Sequence, residues 1–234
     1  ARKDGDGYVI SGTKNWVTSG INSDYVILFA LTITKIGHKG ISCFIVEKGL
    51  EGFELGKAEN KLGIRASDTC ELYFDNVKIP VENLIGEEGQ GFKIALSTLD
   101  GGRIGIASQA LGIAQASLEA SIKYSKERIQ FNKPIAENQA IQYKIADMAM
   151  EIEAARLLIW QAAWKKDQKK NFSHHASMAK VYASEVAMRA STQCVQIHGG
   201  YGYMRESGVE RLMRDAKITQ IYEGTSEIQR LVIA

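Results

Sequence analysis

The sequence predicts an α+β protein in two parts. An antiparallel β-barrel or sandwich over residues 1–82 is followed by an antiparallel four-helix-bundle-like domain over residues 83–234. Three observations predict it. Up to Pro80 the chain is a series of short β-rich runs punctuated by glycine and polar residues. Beyond Pro80, apolar residues recur at spacings of three and four. Those stripes come three in succession with short polar breaks, which is the pattern of a bundle.

In the first part, Asp6-Gly7 reads as a hairpin-type turn leading into Tyr8-Val-Ile10 and then Lys14-Asn-Trp-Val-Thr18. Tyr25-Val-Ile-Leu-Phe29 and Ile41-Ser-Cys-Phe-Ile-Val46 are further short strands. Thr69-Cys-Glu-Leu-Tyr-Phe74 alternates as a half-buried strand does. In the second part the first stripe is Ile104, Ala107, Leu111, Ala114, Leu118 and Ile122. The second is Ile141, Ile145, Met148, Ile152, Ala155 and Ile159, after a turn marked by Pro134 and Glu137-Asn138. The third runs from Ala176 through Ala179, Ala183, Val186 and Ala190 to Cys194 and Ile197. Its alanines permit close helix approach, which places it near the bundle centre. Near the C-terminus, Gly224, Thr225 and Ser226 suit a helix cap, and Ile228, Leu231 and Val232 begin an apolar face.

Composition excludes several classes. A net charge of +2 with no long Lys/Arg run provides no basic field for nucleic acid. No apolar run approaches the ~20 residues of a membrane span. Cys43, Cys70 and Cys194 are sparse, odd in number and match no zinc spacing, so they read as free thiols in a reducing compartment, with no metal site. The chain opens on Ala1-Arg-Lys-Asp rather than Met, so it is expected to begin mid-protein, with any targeting segment lying upstream.

The chemistry concentrates in Ile221-Tyr-Glu-Gly-Thr-Ser-Glu-Ile-Gln-Arg230, where one carboxylate, Glu223, precedes a glycine and two hydroxyls. By itself this is a capped helix with a solvated glutamate before it. A second block, Gln196-Ile-His-Gly-Gly-Tyr-Gly-Tyr203, continues through Glu206 and Arg211 to Asp215. Together these segments resemble the acyl-CoA dehydrogenase family, with wording most like its short-chain (butyryl-CoA) members. The resemblance covers the family's middle β domain and C-terminal helical domain. The family's N-terminal helical domain, which closes one side of the acyl pocket, is not part of this chain.

The resemblance implies FAD as cofactor, an acyl-CoA as substrate and Glu223 as catalytic base. Dehydrogenation between Cα and Cβ of a thioester needs a base, a hydride acceptor and a way to stabilise enolate charge, and no side chain accepts hydride. The base works on a weakly acidic C–H, which favours a partly desolvated carboxylate. Tyr222 and Gly224 flank Glu223 on the substrate side. By the same resemblance, the Glu223 backbone N–H and a flavin ribityl hydroxyl hold the thioester oxygen. Relatives acting on long or branched chains can carry the base on the first bundle helix, at a position matching Gly102 here. Glycine cannot serve, which leaves Glu223. Asp100, Gly101, Gly102 and Arg103 are implied to lie along the CoA arm, although Asp100-Gly-Gly alone reads as a helix-starting turn.

The implied flavin contacts come from both parts. On a strand Trp16 and Thr18 share a face, and the family sets Trp16, Val17 and Thr18 against the isoalloxazine ring. Without the preceding Gly12-Thr-Lys-Asn15, which also carries family wording, Trp16 would read as core. Arg128 and Phe131 match an arginine–x–x–phenylalanine element whose guanidinium suits a pyrophosphate. In the family it reaches the FAD of a neighbouring subunit, joined by Gln139. Gln196, Ile197, His198, Gly199 and Gly200 border the ADP part, as do Thr225 and Glu227. Leu62-Gly-Ile-Arg-Ala-Ser-Asp-Thr69 matches a family loop and is expected to be structural. The implied partners are electron-transfer flavoprotein and further copies of the chain, as a tetramer built from two dimers. Neither nucleic acid nor membrane is expected. The compartment would be the cytoplasm in a bacterium and the mitochondrial matrix in a eukaryote. An oxidase that hands electrons to O₂, or a non-catalytic assembly relative, are the alternatives.

Overall fold

The computed structural model describes residues 1–234. Two compact units divide them: Ala1–Lys61 with Arg65–Thr98, and Leu62–Ile64 with Leu99–Ala234.

The first unit holds two antiparallel sheets. One has strand order β1-β2-β6-β5, with β1 Arg2–Asp4, β2 Gly7–Thr18, β5 Phe53–Leu55 and β6 Thr69–Pro80. The other has order β3-β4-β7, with β3 Tyr25–Leu31, β4 Ile41–Glu47 and β7 Leu84–Ile85. Tyr8, Ile10, Leu72 and Phe74 of the first sheet share one core with Val26, Leu28, Phe44 and Val46 of the second, as a sandwich requires. The first turn differs from expectation. Asp4 pairs with Gly7, so the loop is Gly5-Asp6, with Gly5 at φ 57°. Gly7 is already in the strand, where a Cβ would lie 2.3 Å from the Ile79 carbonyl oxygen. β6 continues six residues past Phe74 because Val77 and Ile79 are buried against β2, so pairing overrides the Asp75-Asn76 breaker.

The second unit is helical. α1 (Gly91–Glu127, its first turns belonging to the first unit) is followed by a hairpin of β8 Ile129–Gln130 and β9 Lys133–Pro134. Then come α2 (Gln139–Asp167), α3 (Ser173–His198), the single turn α4 (Gly200–Tyr203), α5 (Val209–Ile218) and α6 (Ser226–Ile233). Ala107, Ala110 and Ala114 of α1, Ile152, Ala155 and Ile159 of α2, and Ala183, Val186 and Ala187 of α3 form a single core. The alanine stripe does lie at the centre, because α3 touches α2, α4, α5 and α6. One short helix was expected near the end; there are two, α5 and α6, and Glu223 sits in the loop between them. No helix is long and apolar enough to cross a membrane. The three cysteines are free and buried.

Candidate active site

The Asp100-Gly101-Gly102-Arg103 segment does not start a helix. It lies inside α1, ten residues from its beginning. Two adjacent glycines in a helix interior cost about 1 kcal/mol each relative to alanine, so close approach has to account for them. At Gly102 it does: a Cβ built there would stand 2.6 Å from Oε2 of Glu223. At Gly101 a Cβ would meet Lys166 Nζ at 3.2 Å. The half-buried Glu223 carboxylate therefore occupies the space a side chain on α1 would fill.

Glu223 adopts a left-handed backbone conformation (φ 56°), uncommon for a residue with a Cβ. Such strain persists only where the surroundings over-determine it, and here they do. Gln229 of α6, fully buried, donates from Nε2 to the carbonyls of Glu223 (3.1 Å) and Gly224 (3.2 Å). Lys180 of α3, also without solvent exposure, donates from Nζ to the Gly224 carbonyl at 2.6 Å. Burial, joined by the Arg103 guanidinium, brings the Lys180 ammonium down to about 8, against the pull of the Glu223 and Glu227 carboxylates.

α6 thus reverses the expected face. Ile228, Leu231 and Val232 are exposed, while Ser226 and Gln229 are buried. The loop carbonyls need donors more than the core needs three further aliphatic groups. Thr225 caps α6, its side chain accepting from the Ile228 N–H at 3.4 Å. Glu227 is exposed in the first turn, held below the usual carboxylate range by its backbone N–H and the Thr225 hydroxyl. Tyr222 donates to the Gln109 side-chain oxygen, and burial pushes its phenol up. The buried Arg103 pairs with Asp100 (2.8 Å) and reaches Ser177 (3.3 Å), while Ser173 also donates to Asp100 (2.8 Å).

A separate cleft of about 510 Å³ is lined by Tyr124, Arg128, Ile197, His198, Gly199 and Tyr201 among others. It brings together Arg128 and the Ile197–Gly200 turn. Gly199 has φ 60° and ψ −138°, a combination reserved for glycine, and the space over Gly199 and Gly200 is open. Arg128 forms no ion pair; its guanidinium stands 5.5 Å from the centre of the Tyr201 ring. His198 is held by packing: its ring stacks on Tyr124 at 4.2 Å, and Nδ1 donates to the Cys194 carbonyl at 2.8 Å. An unpaired guanidinium, open glycine backbone and two aromatic rings fit an anionic dinucleotide. Gln196, Phe131 and Gln139 do not line this cleft. Gln196 is exposed at the end of α3, Phe131 is 91 % exposed at the tip of the β8–β9 hairpin, and Gln139 is exposed at the start of α2.

Trp16, Val17 and Thr18 belong to the first unit. The register with β6 shifts between Lys14 and Val17 and Trp16 has φ 56°, yet Trp16 and Thr18 are both exposed while Val17 packs on the core. This bulge re-aims the indole. Trp16 is 74 % exposed, so it is not core. The Leu62–Thr69 loop is structural at its start. Within the second unit the Ile64 N–H donates to Asp215 at 2.6 Å and Arg214 donates to the Leu62 carbonyl at 2.9 Å. A Cβ on Gly63 would strike the Arg214 carbonyl at 2.3 Å. Sequence reasoning missed Lys180 and Gln229 altogether. The signal for Lys180 was present: it is a lysine four residues after Ala176 and three before Ala183, on the stripe marked as core.

Residues 1–77 match the family model for the acyl-CoA dehydrogenase middle domain, and residues 89–234 that for the acyl-CoA dehydrogenase C-terminal domain. The short-chain specific acyl-CoA dehydrogenase of Megasphaera elsdenii is 55 % identical over 233 residues, 99 % of this chain and 61 % of that protein. The mitochondrial short-chain specific acyl-CoA dehydrogenase of Rattus norvegicus is 56 % identical over 234 residues, 100 % of this chain and 57 % of that protein. Among solved structures, butyryl-CoA dehydrogenase from Megasphaera elsdenii superimposes with a TM-score of 0.98 at 55 % identity, over 99 % of this chain and 61 % of that one. A chain from structural work on the electron transferring flavoprotein of Acidaminococcus fermentans also has a TM-score of 0.98, at 52 % identity and the same coverage. The chain spans about three-fifths of the length of these relatives.

Proposed function

This chain belongs to the acyl-CoA dehydrogenase family, and on that premise we propose that the whole protein oxidises short acyl-CoA thioesters to trans-2-enoyl-CoA with FAD as cofactor. The observation that carries the reading is the Glu223 carboxylate seated over the bare backbone of Gly102, on a loop clamped by two buried donors. Glu223 takes the proton from Cα of the thioester. Its backbone N–H, in the left-handed loop, is offered to the thioester oxygen as enolate charge develops, and losing one such donor typically costs about 3 kcal/mol of barrier. Gly224 and Tyr222 border the acyl chain, and Asp100 to Arg103 the CoA arm. When bound, FAD supplies the acceptor for the hydride leaving Cβ.

Arg128, joined by Phe131 and Gln139, would reach the pyrophosphate of a neighbouring copy's FAD. Gln196 to Gly200, Thr225 and Glu227 would border the ADP part, and Trp16, Val17 and Thr18 the isoalloxazine ring. Electron-transfer flavoprotein is the proposed electron acceptor, a partner supported by the likeness to a chain studied with such a protein. An oxidase reading rests on a prolyl acyl carrier protein oxidase that is only 36 % identical, whereas the short-chain specific acyl-CoA dehydrogenases of Megasphaera elsdenii and Rattus norvegicus are 55 % and 56 % identical. An assembly role would leave Glu223 and its clamp without purpose.

The protein would act as a homo-oligomer, a dimer of dimers. Tyr143, Met150, Leu157, Trp160 and Trp164 form a stripe along α2, each more than half exposed, and a second copy would cover it. A monomer that binds FAD with undiminished affinity would contradict this. The relatives include a mitochondrial and a bacterial enzyme, which supports matrix or cytoplasm according to source.

Glu223→Gln in the full-length protein tests the base. It should keep FAD and lose the bleaching of the flavin by butyryl-CoA by about 10³-fold or more. Bleaching at an undiminished rate removes Glu223 from the mechanism.

A further inference from the structure

We propose that Lys166, in the last turn of α2, is the cation that holds the phosphorylated end of the CoA arm. It thereby sets a preference for a CoA thioester over the same thioester of pantetheine, which carries no phosphate. The proposal rests on Glu223 being the base and on the Asp100–Arg103 segment bordering the CoA arm.

Two adjacent glycines of α1 each face a charged group from another element. A Cβ on Gly102 would stand 2.6 Å from Oε2 of Glu223, and one on Gly101 would stand 3.2 Å from Nζ of Lys166. Consecutive helix positions project about 100° apart, so the carboxylate and the ammonium lie side by side around α1. A molecule that starts at the base and runs over the bare backbone of this segment therefore passes Lys166.

Of the two cations beside that backbone, only Lys166 is free. The Arg103 side chain is 6 % exposed, pairs with Asp100 at 2.8 Å and reaches Ser177 at 3.3 Å, so it ties α1 to α3. Lys166 is exposed and forms no ion pair. Lys165, Lys169 and Lys170 stand close in sequence, and Asp167 is the one acid among residues 165–172. They add to a positive field at this end of α2. The helix dipole favours lysines in a last turn. It does not explain why one of them reaches the backbone of α1 at the position next to the base. An exposed, strongly hydrated ammonium gains little from a neutral amide and most from a charged oxygen. Along the CoA arm those oxygens belong to the phosphates, since the pantetheine part is neutral.

The experiment uses the full-length, FAD-loaded protein and follows flavin bleaching against the concentration of butyryl-CoA and, separately, of butyryl-pantetheine. Lys166→Met should raise the half-saturating concentration of butyryl-CoA about tenfold without lowering the limiting rate. With butyryl-pantetheine it should match the wild type. Lys166→Arg, which keeps the charge, should stay near the wild type with both. No shift with butyryl-CoA overturns the proposal. An equal shift with both thioesters also overturns it, because the contact would then be to the neutral arm. A shift in Lys166→Arg as large as in Lys166→Met does the same, by showing that shape and not charge is at work. Loss of FAD from Lys166→Met would make the residue structural and would count against the proposal too. The wild type separates the two ideas. If butyryl-CoA does not bleach it, the proposed function fails and this proposal falls with it. If bleaching is normal and Lys166→Met changes nothing, only the role of Lys166 fails.

Discussion

The Glu223 loop and the Arg128–Gly200 cleft lie in the same helical unit and are built on opposite principles. The loop is held from beneath by fully buried polar groups, Lys180 and Gln229, and its backbone is fixed in an unusual conformation before any ligand arrives. The cleft is open, and its cation rests against an aromatic face with no carboxylate to answer it. A group that must be aimed within a fraction of an ångström is preorganised at the expense of stability. On the proposed reading, Arg128 is the group that meets a phosphate, and its guanidinium has no carboxylate partner within the chain. The proposed base is thus held by the folded chain, and the proposed phosphate ligand keeps its charge free.

The largest effect that would break this contrast is a pH dependence of stability. Lys180 titrates near 8 in the folded protein and near 10.5 unfolded. Between those values the unfolded chain holds the extra proton, so stability rises with pH across that window; below about 8 the cost of burying the ammonium is present in full. It amounts to something on the order of 3 kcal/mol. Denaturant unfolding of wild type and Lys180→Met from pH 7 to 10.5 should therefore show the variant's advantage shrinking by about that much. A difference flat in pH means that the loop is not underpinned by a buried charge, and the contrast loses one side.

The other side is sharpened by Arg128→Ala in the full-length protein. A charge-assisted contact to phosphate contributes about 2 kcal/mol, so the FAD dissociation constant should rise 10- to 100-fold. The bleaching rate should fall in step with flavin occupancy. Unchanged FAD affinity would show that the free guanidinium is not waiting for the dinucleotide.

How much of this was legible in the sequence follows the same division. The two-part fold was readable because helical stripes and strand runs are periodic, and Glu223 because its motif is local. Arg128 and the Gly199-Gly200 turn were legible for the same reason, and they meet in space. What periodicity could not reveal is where tertiary contacts overrule local preference. The bulge at Trp16 shifts the register with β6 and gives Trp16 a positive φ, which the residues themselves do not announce. The face of α6 is inverted because the amide of Gln229 is wanted inside, a demand set by carbonyls five and six residues away. Lys180 escaped notice because a polar residue on an apolar stripe is ordinarily read as noise. The two glycines of α1 looked like a helix start, yet they lie inside a continuous helix, where Gly102 leaves room for the Glu223 carboxylate and Gly101 faces Lys166.

The smallest effect tests that last point most directly. Gly102→Ala removes a helix-interior glycine and should stabilise α1 by up to about 1 kcal/mol. Its new Cβ would fall 2.6 Å from Oε2 of Glu223, a flexible carboxylate tip that can swing aside without unfolding anything. The protein should therefore be at least as stable as wild type and slower, by about tenfold in bleaching rate, or ~1.4 kcal/mol of barrier. Gly105→Ala is the control. It lies less than one turn further along the same helix with open space around its Cβ position, so it should gain the stability without the loss of rate. If the two variants slow the reaction equally, the fault lies in stiffening α1. If only Gly102→Ala does, the space over Gly102 is reserved for the base.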